Sequence, residues 1–145
     1  MINKAEADEK VQNEKYIRAW AAFEVLAINE DKAKESLTNL INKIDQDNKI
    51  QVYEKEFSEP VKVENPTKTI KQAYSITCDL KLIAKNIDNL LQFVISYGPS
   101  AIEIIEPNEI KMQIGEVQNI LNTVSGMMHK FAAAGIGGLV FINKE

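Results

Sequence analysis

Residues 72–84 read QAYSITCDLKLIA, and this run constrains the chain more than any other. Tyr74, Ile76, Cys78, Leu80 and Leu82 alternate with Ala73, Ser75, Thr77, Asp79 and Lys81. A period of two is the side-chain repeat of a strand, so the run predicts a long strand with one apolar and one polar face. Such a strand needs partners in a sheet and a second layer over its apolar side. A chain of 145 residues, 45% hydrophobic and 26% charged, is long and apolar enough to supply both as one soluble domain.

The flanking segments provide the partners. In YIRAWAAFEVLAI, Ile17, Ala19, Ala21, Phe23 and Val25 alternate with Tyr16, Arg18, Trp20, Ala22 and Glu24, which predicts a first strand. Asn29 is placed as the N-cap of EDKAKESLTNLINKI, where Ala33, Leu37, Leu40, Ile41 and Ile44 share a helical face. KIQVYEKEF follows as a strand, with Ile50 and Val52 on one side and Tyr53, Lys55 and Phe57 on the other. SEPVKVENPTKT, with two prolines, predicts a loop or irregular edge.

Beyond the long strand, Asn86 caps IDNLLQFVISY, whose Ile87, Leu90, Leu91, Val94 and Ile95 form a stripe. In YGPSAIEIIEP, Gly98 stands where a helix end takes positive φ, and Pro99 forbids continuation. SAIEIIE then predicts a short strand stopped by Pro107, with Glu103 and Glu106 as solvated charges. Residues 1–14 are charged and aperiodic, which predicts a flexible arm or a short helix.

The order strand, helix, strand, strand, helix, strand is the split βαβ, ferredoxin-like order. It predicts an α+β domain over 15–145, with an antiparallel sheet and both helices on one face. EIKMQIG can add a fifth short strand or an extended linker. A long C-terminal helix over 116–134 carries Val117, Ile120, Leu121, Val124, Met127, Met128 and Phe131 on one stripe. Gly135, Gly137 and Gly138 end it, and LVFI can close the fold with a last strand. That helix must bury its stripe over the open sheet face or against a second copy, and we expect a homodimer.

The chemistry-bearing residues are few. One cysteine and one histidine leave no Cys-rich or His-rich metal site and no internal disulfide. Cys78 shares its face with apolar residues and reads as a packing thiol, and His129 falls off the helix stripe toward solvent. GIGGLV does not lead from a strand into a helix, so it is no phosphate loop, and no cofactor motif is present. The candidate binding face joins Arg18, Trp20 and Glu24 of the first strand to Thr77 and Asp79 of the long one. A net charge of −4 speaks against nucleic acid held by phosphate neutralisation. The N-terminus lacks a signal-peptide core and FAAAGIGGLVFI is too short to span a bilayer, which gives a cytoplasmic, membrane-free expectation.

The segment NLLQFVISYGPSAIEIIEPNEIK resembles the C-terminal extension of WYL-domain transcriptional regulators, over about residues 74–131. The whole chain also resembles small uncharacterised archaeal proteins sharing the YGPSA and EPxEI signatures. The first resemblance implies a ferredoxin-like module for oligomer contacts and regulation. The helix-turn-helix and WYL barrel of those regulators have no counterpart in this sequence, so DNA binding is not implied.

The sequence therefore predicts a non-enzymatic binding or regulatory module, self-associating through the C-terminal helix or the open sheet face, with a small ligand or protein as further partner. A small enzyme with a carboxylate-based site drawn from Asp79, Glu24 or Glu103 is the alternative. An RNA-binding module stacking bases on Trp20 and Tyr16 is the second.

Overall fold

A computed structural model describes residues 1–135. It divides into two compact units, Met1–Glu109 and Ile110–Glu145. Among the described residues the elements of the first unit are α1 (Lys4–Asn13), β1 (Ile17–Ala27), α2 (Glu30–Asp45), β2 (Ile50–Phe57), β3 (Val61–Glu64), β4 (Gln72–Ala84), α3 (Ile87–Tyr97) and β5 (Ala101–Glu106). The second unit contains α4 (Ile114–Ala133). The fold is α+β, around one antiparallel sheet ordered β2-β4-β1-β5, with β3 continuing the β2 side of β4.

β4 is the spine of the sheet, as its length and alternation require. Residues Ile17 to Ala27 of β1 pair with Ala84 to Tyr74, so the apolar rows of the two strands coincide. Ile17, Ala19, Ala21 and Phe23 lie beneath α2 and α3 together with Ile76, Cys78, Leu80 and Leu82. α2 contributes Ala33, Leu37, Ile41 and Ile44, spaced by threes and fours, and its first turn is capped by the Asn29 side chain accepting from the Lys32 N–H at 2.8 Å.

Asn86 caps α3 in the same way through the Asn89 N–H. Gly98 ends α3 at φ 58° and ψ 56°, and its N–H donates to the Val94 carbonyl. The buried face of α3 is turned from the expected stripe. Leu90 and Phe93 are buried, whereas Ile95 is exposed. Phe93 occupies the centre because its ring meets Phe23 edge-on at 5.9 Å and Tyr97 at 5.6 Å.

The short-helix alternative holds at the N-terminus, and two further expectations change. The N-terminal residues form helix α1, closed by a capping box between Asn3 and Glu6. Its Ala7 is buried with Tyr53 and Ile83, on the sheet face opposite α2 and α3. The proline-flanked segment after β2 contains a short paired strand, β3. In β2 the register against β4 slips between Val52 and Glu54, leaving Tyr53 as an inserted residue. The bulge reverses the alternation: Lys55 and Phe57 join the rows of Leu80 and Cys78, and Glu54 and Glu56 move to the second face.

Residues 107–113 are irregular and carry no strand, so the linker alternative for EIKMQIG holds. α4 starts at Ile114 behind Gln113, which makes no side-chain cap bond, and Gly135 follows it at φ 72°. The closing strand expected at LVFI lies outside the described residues.

Candidate functional site

The second face of the sheet can be built row by row, because directly opposed residues of paired strands project to the same side. The first row sets Glu106 of β5 beside Arg18 of β1, and Arg18 beside Ile83 of β4. The next runs Glu103, Trp20, Lys81, Glu54 across all four strands. The third runs Ala101, Ala22, Asp79, Glu56, and the fourth pairs Glu24 with Thr77.

The first row is closed. Arg18 is only 8% exposed, and its guanidinium donates from Nε to Glu106 and from Nη2 to Asp8 of α1, both at 2.5 Å. Its carbon end lies 5.1 Å from the ring centre of Tyr53. Burial alone works against the Arg18 charge, but its neighbours Tyr53, Glu106 and Asp8 together outweigh it, and the guanidinium proton is held above the ordinary value. Arg18 was expected to offer its charge on the open face; the structure spends it on a three-element clasp.

Among the described residues the remaining rows stay open. Trp20 is half-buried between Lys81 and Glu103, whereas Glu24, Asp79 and Glu103 are exposed and Thr77 is half-buried. Lys81 bonds Glu54 at 2.8 Å, and that hydrogen bond raises the Lys81 ammonium above its usual value. Glu24, Glu54, Glu56, Asp79 and Glu103 thus face Lys81 as the cation of these rows. The five expected face residues do share one side, but only Trp20, Glu24, Thr77 and Asp79 are left to meet a partner. Sequence reasoning missed Glu54 and Glu56, whose facing follows from the Tyr53 bulge, and Asp8, which reaches Arg18 from a helix.

The carboxylates named as a catalytic alternative stand in successive rows of this face. Among the described residues, no group of three or more His, Cys, Asp or Glu side chains has the arrangement to hold a metal ion. Cys78 is fully buried, and burial, the dominant cause, pushes its thiol up to about 11. It serves packing.

The expected interface residues lie on α4, where no residue is buried. Val117, Leu121, Met128 and Phe131 are exposed, Leu121 to 59%, and Ile120, Val124 and Met127 are half-buried. His129 is exposed, as its place off the stripe implied. No helix among the described residues is long and apolar enough to cross a membrane.

A family model, that of the MJ0538 family, matches residues 18–141. It fits the resemblance to small archaeal proteins and lends no support to the one with WYL regulators. No curated protein and no solved structure matches the chain.

Proposed function

We propose, for a chain that belongs to the MJ0538 family, a non-enzymatic binding and regulatory module that self-associates through α4. The carrying observation is the α4 stripe: a twenty-residue helix with exposed Val117, Leu121, Met128 and Phe131 and no buried residue. Each large apolar side chain moved out of water is worth about 1.5–3 kcal/mol, so such a stripe has a strong drive to find a cover. A second copy supplies a self-complementary one, and closed two-fold dimers are the commonest solution.

The sheet is read as ferredoxin-like. Supporting this are the strand order, with β1 and β4 central, and the shared face of α2 and α3. The carboxylates on the other face repel phosphate, which argues against a base-stacking role for Trp20 and for a protein or small cationic partner.

Sedimentation across a concentration range tests the reading, comparing the parent with Met127→Glu. The expected result is a parental dimer and a folded variant monomer. A parent that stays monomeric at high concentration overturns the self-association.

A further inference from the structure

The two edges of the sheet are protected unequally. The β2–β3 edge carries Glu54, Lys55 and Glu56, the Tyr53 bulge, Pro60 and Lys62. Charges, prolines and bulges are the usual devices that stop another strand from joining an edge. β5, the opposite edge, reads AIEIIE and pairs among the described residues with β1 alone. All of Ala101–Ile105 are exposed, including three isoleucines.

The register separates the two sides of this edge. Ile102 and Ile104 stand in the rows of Ala21 and Ala19, on the side of α2 and α3, yet remain 38% and 42% exposed. α2 and α3 therefore leave the rim of that side bare. Glu103 stands on the other side, beside Trp20. Ile105 is the extra residue of a slip between Arg18 and Ala19, so the regular ladder runs from Ala101 to Ile104, preceded by Ser100 bonded to the Ala22 carbonyl.

We propose that β5 is a strand-addition site for an extended segment of another protein that alternates apolar and basic residues. The apolar side chains extend the Ile102–Ile104 rim, and the basic ones face Glu103 and the acidic side of the sheet, while the β5 backbone left unpaired among the described residues completes the ladder. A second copy of β5 is the poorer occupant. Two-fold antiparallel pairing in the centred register sets Glu103 against Glu103, and in any register it joins two acidic faces into one.

Fluorescence anisotropy with a labelled peptide of about eight residues alternating Lys and Val tests the proposal. Three comparison peptides are required: the same composition in separate Lys and Val blocks, an alternating Glu–Val peptide, and the Lys–Val peptide N-methylated at alternate residues. The alternating Lys–Val peptide should bind at least about tenfold tighter than each of them, since only it offers ladder, rim and charge together. Glu103→Lys, at an exposed position, should transfer the preference to the Glu–Val peptide. Equal binding of the block peptide would show mere charge attraction and overturn the site, as would an unchanged preference in Glu103→Lys. A parental dimer that Ile104→Lys converts to monomer would instead assign the edge to a second copy and also refute the proposal.

Discussion

Arg18 allows an asymmetric test of what holds α1 and β5 to the sheet. Replacing it by Met keeps an apolar body beside Tyr53 and Ile83 and removes two ion pairs. The released partners, Asp8 and Glu106, have side chains 41% and 47% exposed and return to water without penalty. Part-exposed pairs are worth about 0.5–1 kcal/mol each, and the stacking on Tyr53 a similar amount. Relief of the guanidinium's burial subtracts from that sum, so Arg18→Met should cost about 1 kcal/mol. The reverse perturbation, Asp8→Ala with Glu106→Ala, leaves a cation that is 8% exposed with no carboxylate beside it. Removing the partners of a buried charge costs about 3 kcal/mol or more, so the double variant should be clearly the less stable. Urea denaturation of both variants, with Arg18→Met/Asp8→Ala/Glu106→Ala to close the comparison, measures the difference. If the carboxylate-free protein is no less stable than Arg18→Met, then Arg18 reaches water freely and the clasp is not the device described.

Gly98→Ala meets no steric obstruction, because an added Cβ has nothing within 4 Å, so its cost of about 1 kcal/mol is that of φ 58° alone; an unchanged denaturation midpoint would refute the capping role. Cys78 should ignore a thiol reagent in the native protein and react on unfolding, whereas fast native labelling would contradict its burial. The fold should weaken in alkali. Tyr97, raised to about 12 first by burial and then by its bond to Asp47, and Cys78, raised to about 11 by burial, both hold their protons more tightly when folded. Their contribution is complete below their ordinary values of 10.0 and 9.0 and is lost as pH rises toward 12 and 11, so Tyr97→Phe should flatten the upper part of a stability-against-pH curve.

What could be read from the sequence was what is decided locally. Asn29, Asn86 and Gly98 mark helix ends through bonds made within four residues, and each is found in its role. The β1 and β4 alternation is uninterrupted, so it reports the buried face directly. The bulge at Tyr53 is different: IQVYEKEF has no Gly or Pro to mark it, and only pairing with β4 reveals the change of phase. α1 was ambiguous because a helix that buries Ala7 alone has almost no apolar period. The Arg18 clasp joins residues 10 and 88 positions away, a separation that no window of periodicity spans.

The clasp also has a mechanical meaning. The linker 107–113 leaves the sheet at Glu106, the residue that Arg18 grips. Tension carried by that linker enters the first unit there, at the C-terminal end of β5. Pulled from that end, β5 would peel away one ladder bond at a time, the geometry in which a sheet resists least. The Glu106–Arg18–Asp8 chain passes the first of that load across β1 to α1, so the link is placed as a latch against unzipping.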